Sequence, residues 1–256
     1  MSFKENLTTT RLAALDIGSW LLDLLFPIRC LICGQEDKQF ICLFCKSQLE
    51  PVNGQICAMC RKSSMGGITH AGCQTAWGPN GLISLLNYQD TNVARLIIQG
   101  KYSFLPGVFE AFGKLLAHTI YEKHDHLLKE QYLLCPLPLH TRRQRWRGFN
   151  QAEILCKFAS QEWQKNYSLQ VPIINALIRK KPTKTQKDLK RDERLKNMDS
   201  AFGLSAKSLN LEFSILNQNL ILVDDVTTTG ATLLEATKVL KRNGAKNVWC
   251  VTIARD

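Results

Sequence analysis

Residues 219–232, NLILVDDVTTTGAT, constrain the fold more than any other stretch of the chain. Leu220 to Val223 form a short apolar run of the buried-strand type. Asp224, Asp225 and Val226 follow, then a run of small, mostly hydroxylated residues: Thr227, Thr228, Thr229, Gly230, Ala231 and Thr232. Leu233, Ala236 and Leu240 recur at helical spacing, and Asn243-Gly244 supplies a stop. The pattern predicts a strand, a tight loop and a helix N-terminus in succession. Backbone N–H groups and threonine hydroxyls in such a loop surround a phosphate, and the helix dipole favours the anion. Carboxylates at the end of the strand accept hydrogen bonds from neighbouring sugar hydroxyls. The arrangement suits a 5-phosphorylated ribose.

The head of the chain carries a different chemistry. Seven of the ten cysteines lie between residues 30 and 73. Cys30 and Cys33 are followed by Cys42 and Cys45, and Cys57 and Cys60 by His70 and Cys73. Each half is a pair of ligand-x2-ligand turns, and the halves repeat at an offset of 27 or 28 residues. Two such turns complete a tetrahedral zinc shell. Each quartet is full, with no position for a substrate water, so the zinc is expected to be structural. Pairing within quartets and pairing across them both satisfy the spacing. Gly34 fits the tight turn after the first pair. Cys135, Cys156 and Cys250 fall in apolar patterns and read as core residues.

At 256 residues the chain accommodates one sizeable core and one small module. Lysine and arginine number 33 against 22 acidic residues, a net charge of +11, which suits a polyanionic or phosphorylated partner. Residues 12–27, LAALDIGSWLLDLLFP, are too short for a membrane span, and Asp16 and Asp23 interrupt them. The same aspartates argue against an export signal. An amphipathic helix over residues 1–29 and a reducing cytoplasmic location are therefore expected, and in that setting clustered cysteines bind metal.

The remaining pattern alternates strands (82–88, 132–138, 171–178, 247–253) with helices (91–100, 108–121 and one opening at Asn150). Asn150 with Glu153 resembles a capping box. Alternation implies an α/β fold with a mainly parallel sheet, whose ligands bind beyond the carboxyl ends of the strands. Two basic segments are expected on loops at that end. One holds Arg142, Arg143, Arg145, Trp146 and Arg147. The other, residues 179–196, has nine Lys/Arg against three acids. His124-Asp125-His126 reads as a solvated turn, and His118 and His140 carry no partner signal.

The segment 224–232 resembles the 5-phosphoribosyl-1-pyrophosphate (PRPP) motif of type I phosphoribosyltransferases. Many of these have two glycines where this chain has Gly230-Ala231, and alanine restricts positive φ. Taken whole, residues 20–255 resemble the ComF-type family. The features that carry the likeness are the double Cys-x2-Cys head, Lys101-Tyr102, the run Arg145 to Glu153, Thr185-Gln186, Arg194 with Asn197, Ala201-Phe202 and the PRPP motif. The resemblance implies a double zinc-binding module (30–78) fused to a type I phosphoribosyltransferase-like domain (79–256). It also implies a role in DNA uptake during natural transformation.

Three functions fit these residues. A DNA-handling protein would bind single-stranded DNA along its arginines and stack bases on Trp146, with DNA-uptake machinery proteins as further partners. A working phosphoribosyltransferase would hold PRPP with magnesium, Asp224 and Asp225 on the ribose and the threonine loop on the 5-phosphate, with an acceptor the sequence does not name. A pure interaction protein would dock through its zinc head. The first reading is favoured.

Overall fold

The structure, a computed structural model, describes residues 27–180, 201–205 and 214–256. Contacts divide the chain into two units with a boundary between Gln48 and Leu49. The first unit holds the quartet Cys30, Cys33, Cys42 and Cys45 and a short helix α1 (Leu43–Ser47). The Sγ of Cys42 caps α1 by accepting from the Cys45 N–H at 3.4 Å. The second quartet lies in the unit that carries the sheet. Most of the helix expected over residues 1–29, and residues 181–196 of the second basic segment, lie outside the described residues.

The second unit opens with a small antiparallel pair, β1 (Gln55–Ile56) and β2 (Ser63–Ser64). Its main sheet has four parallel strands: β3 (Gly81–Asn87), β4 (Tyr132–Pro136), β7 (Asn219–Thr227) and β8 (Asn247–Arg255), in the order β3-β8-β7-β4. The apolar residues of these strands are buried almost without interruption, as expected of a parallel sheet covered on both faces. A separate antiparallel pair, β5 (Leu177–Arg179) and β6 (Phe202–Leu204), stands apart from the main sheet.

Long helices fill the crossovers. They are α2 (Thr91–Tyr102), α3 (Pro106–Lys123), α6 (Gln151–Tyr167) and α7 (Ala231–Arg242), with short helices α4 (His126–Lys129) and α5 (Thr141–Arg147) between them. The carboxylate of Asp90 caps α2 by accepting from the Asn92 and Val93 N–H groups. Asn150 caps α6 through the Ala152 N–H and also donates to the Leu137 carbonyl, tying the helix start to the end of β4. The helices α3 and α6 approach closely because Gly113 has no Cβ. One placed there would lie 2.9 Å from the Leu155 carbonyl oxygen. The indole N–H of Trp163 donates to the Ala117 carbonyl across the same contact, at 2.9 Å. Cys135, Cys156 and Cys250 are buried core residues, as expected.

Several local expectations are corrected. The strand expected to stop at Val223 continues through both aspartates to Thr227, because β8 is long enough to pair with it out to Arg255. The strand expected over 171–178 is split. Ile173 makes an isolated parallel bridge to Leu134, and the ladder resumes at Leu177 in a different pair. Pro172 offers a carbonyl to the Leu134 N–H but has no N–H of its own to continue a ladder. Residues 141–147 form a helix, not a loop, begun by the His140 ring and ended by Gly148 in the left-handed region. The 124–126 turn is not fully solvated. His124 is buried, and burial, reinforced by His126 and Lys123, holds its pKa below the usual value. His118 does have partners: its ring lies 2.8 Å from the Tyr167 hydroxyl and 3.2 Å from Glu122.

Candidate phosphoribose site and metal centres

The two carboxylates of β7 differ in their surroundings. Asp225 is buried and forms an ion pair with Lys101, the last cation of α2, at 2.8 Å. Asp224 accepts from the Asp225 backbone N–H at 2.8 Å. Burial and the adjacent Asp225 charge push the Asp224 carboxyl up to about 7, against the pull of Lys101, that backbone N–H and Arg179. Near neutral pH this group stands between a hydrogen-bond donor and a charged acceptor.

Cations surround the pair. Arg147 is only 8% exposed, and its guanidinium lies 5.6 Å from the centre of the Tyr102 ring. Its Nε has no hydrogen-bond partner among the described residues. Burial lowers its pKa while Asp225 and Tyr102 oppose the shift. Arg179, at the end of β5, is lowered to about 10 by burial and by Arg143, with Asp224 opposing. Lys101, Arg143, Arg147 and Arg179 thus share one electrostatic neighbourhood with two carboxylates, which leaves positive charge for a polyanion.

The loop after β7 supplies the amides. Among the described residues, the N–H groups of Thr228, Thr229 and Gly230 donate to no backbone carbonyl. The Thr229 hydroxyl accepts from the Ala231 N–H at 3.4 Å, starting α7. Gly230 has φ +79°, so glycine stands where the left-handed conformation is required. Ala231 is the first helical residue and is not among the residues with positive φ. Alanine in place of a second glycine therefore introduces no backbone strain. Val226 and Thr232 flank the loop and are partly exposed.

Beside the site, α5 turns Arg142, Arg145 and Trp146 to the surface and Arg147 inward. Trp146 is 55% exposed, so it does not anchor a core. Its ring centre is 5.9 Å from Tyr102 and 5.5 Å from Phe104, which are 53% and 49% exposed. Phe104 holds a left-handed φ of 54°, costly for a bulky residue and a mark of a constrained position. Trp146 stands out in the sequence, but its packing against Tyr102 and Phe104, more than forty residues earlier, does not.

Both metal quartets assemble from consecutive ligands, which resolves the pairing question. Within each, the ligand atoms lie within 4.8 Å of one another. In the first, burial alone would raise the Cys30 thiol, but the N–H groups of Cys42, Cys33 and Ile32 hold it at about 6. Burial and the neighbouring thiols push Cys45 up to about 12. In the second, Cys57 is held at about 7 against burial by the N–H groups of Cys60, His70 and Met59, and Cys73 is pushed up to about 11, chiefly by Cys60. Ligand atoms gathered within 4.8 Å of one another form a site whose thiolate charge a cation neutralises. His70 places Nε2 3.0 Å from the Ser63 carbonyl and Nδ1 3.4 Å from Cys60 Sγ. The tautomer that donates from Nε2 leaves the Nδ1 lone pair for a metal, the usual outer support of a zinc-bound imidazole. Both sites fit structural zinc.

The model of the double zinc ribbon domain matches residues 21–74, and that of the phosphoribosyl transferase domain matches residues 166–256. Competence protein F of Haemophilus influenzae is 29% identical over 233 residues, covering 84% of this chain and 97% of that protein. The DNA utilization protein YhgH of Escherichia coli K12 is 30% identical over 177 residues, 66% of this chain and 70% of the relative. Competence protein ComFC of Bacillus subtilis is 28% identical over 230 residues, 84% of each chain. No helix among the described residues is long and apolar enough to cross a membrane.

Proposed function

We propose, from the premise that this chain belongs to the ComF family of competence and DNA utilization proteins, that it handles single-stranded DNA in the cytoplasm through a domain that also binds PRPP with magnesium. The observation that carries the PRPP part is the junction of β7 and α7. There two carboxylates, three backbone N–H groups without a carbonyl partner among the described residues and a left-handed glycine stand beside Lys101, Arg147 and Arg179. On this reading the loop from Thr227 to Thr232 takes the 5-phosphate and the carboxylates accept from the ribose hydroxyls. Arg147 and Arg179 would face the pyrophosphate, and magnesium, when bound, would supply further charge neutralisation there.

The DNA part rests on the exposed face of α5. Arg142 and Arg145 offer a cationic track, and Trp146 with Tyr102 and Phe104 offers flat surface for unpaired bases. DNA-uptake machinery proteins are the partners such a role calls for. A single-stranded oligonucleotide titrated at rising salt tests it. Binding should weaken linearly on a log–log scale through counterion release, whereas salt-independent binding, or none, would remove the DNA reading. A complete phosphoribosyl transfer is the second reading. It is favoured by the intact Asp224–Asp225–Lys101 arrangement and by the absence of positive φ at Ala231.

A further inference from the structure

The second zinc knuckle touches the phosphoribose loop. The turn Cys57–Lys62 is closed by the Arg61 N–H on the Cys57 carbonyl and by the Cys57 N–H on the Lys62 carbonyl, both at 2.9 Å. Arg61, next to the ligand Cys60, is held at φ +63°, a conformation a non-glycine residue keeps only where its surroundings impose it. Its guanidinium donates to the carbonyl of Thr228 and, at 2.9 Å, to that of Asp256. Asp256 in turn donates its backbone N–H to the Thr227 carbonyl at 3.1 Å. The Ala58 carbonyl, from the same knuckle, stands 3.7 Å from where a Cβ on Gly230 would be. Thr227, Thr228 and Gly230 are thus all met by the knuckle or by the residue it holds.

The consequence follows from peptide planarity. In a trans peptide the C=O of one residue and the N–H of the next point in opposite directions. Fixing the Thr228 carbonyl on Arg61 therefore aims the Thr229 N–H to the other side of the loop, away from the knuckle. The base of the knuckle is held to the main sheet, with Gln55 hydrogen-bonded to the Ser84 backbone and Ile68 bridged to Gly81, but the Cys57–Lys62 turn is closed by only two backbone hydrogen bonds and needs a further constraint to fix its ligand side chains. Its metal ligands supply that constraint.

We propose that the second metal centre sets the phosphoribose loop. Arg61 is a positioning residue that converts zinc occupancy of Cys57, Cys60, His70 and Cys73 into the orientation of the Thr229 N–H toward the 5-phosphate. This rests on the phosphoribose reading of the loop and adds metal-dependent control of the same site.

Arg61→Ala in the full, zinc-loaded chain tests it, with metal content measured to show that both centres stay filled. Two readouts are expected to move. The backbone N–H order parameter of Thr229, without ligand, should fall from a rigid value of about 0.85 toward about 0.6. The affinity for PRPP–Mg²⁺ should fall about tenfold or more, the effect of losing a charge-assisted hydrogen bond, and added guanidinium should restore part of it. Cys73→Ser, with the first quartet intact, should reproduce the loosening of Thr229. A rigid Thr229 or an unchanged PRPP affinity in zinc-loaded Arg61→Ala overturns the proposal. A wild-type protein that holds Thr229 rigid through Arg61 yet binds no PRPP removes the phosphoribose reading instead, and leaves the loop-positioning role standing.

Discussion

At the scale of single residues, the site is governed by two neighbouring carboxylates treated differently. Asp225 has a cation at 2.8 Å, while Asp224 is raised to about 7 by burial and by Asp225. A carboxyl raised in the folded state binds its proton more tightly there than in the unfolded chain, where its pKa is near 4. Between about pH 4 and pH 7 the folded protein holds the extra proton, so this group makes stability fall as pH rises through that window. Asp224→Asn removes the effect. Thermal melts should show the variant more stable than wild type at pH 8, by on the order of 2 kcal/mol after allowing for the partial exposure of the side chain. The two should be indistinguishable below pH 4, and equal stabilities at pH 8 would mean that Asp224 ionises freely. Asp225 was legible as a candidate site residue, but its ion-pair partner was not. Lys101 lies 124 positions earlier, and nothing in local spacing announces a pair made by a helix end and a distant strand.

At the scale of elements, α5 explains why one arginine-rich run serves two surfaces. Its seven residues make about two turns, so Arg142, Arg145 and Trp146 face solvent while Arg147 turns inward to Tyr102 and Asp225. Replacing Arg142 and Arg145 with Gln should flatten the salt dependence of oligonucleotide binding and weaken all sequences alike. Trp146→Ala should weaken single strands by roughly 1–3 kcal/mol, leave the salt slope in place and barely move the melting temperature. A large drop in thermal stability with unchanged oligonucleotide affinity would assign the ring a purely structural role. The sequence pattern placed these residues at the right end of the sheet but read their helix as a loop. Helix formation here depends on His140 and Gly148 as end caps and on a buried Arg147, and a seven-residue polar run shows no apolar periodicity to reveal it.

Across the whole molecule, the parallel sheet and both metal quartets were readable because apolar runs and Cys-x2-Cys spacing are local signals. The junction between them was not. Arg61 reaches Thr228 across 167 positions, and only the fold brings the knuckle to the loop. The paired quartets predict two zinc ions per chain in purified protein, by metal analysis, and Cys30→Ser should lose one together with the structure of the first unit, whose metal-binding energy is folding energy. One zinc or none in wild-type protein would remove one centre or both.

The end of β7 and the start of α7 are proposed to form a PRPP site. Calorimetric titration of PRPP–Mg²⁺ into zinc-loaded wild type and into the Asp224→Ala, Asp225→Ala double variant tests it most directly. Saturable binding at one site per chain, abolished in a double variant that still melts cooperatively and keeps its zinc, is the predicted result. Equal affinity in the two proteins, or no binding heat in wild type, would contradict it.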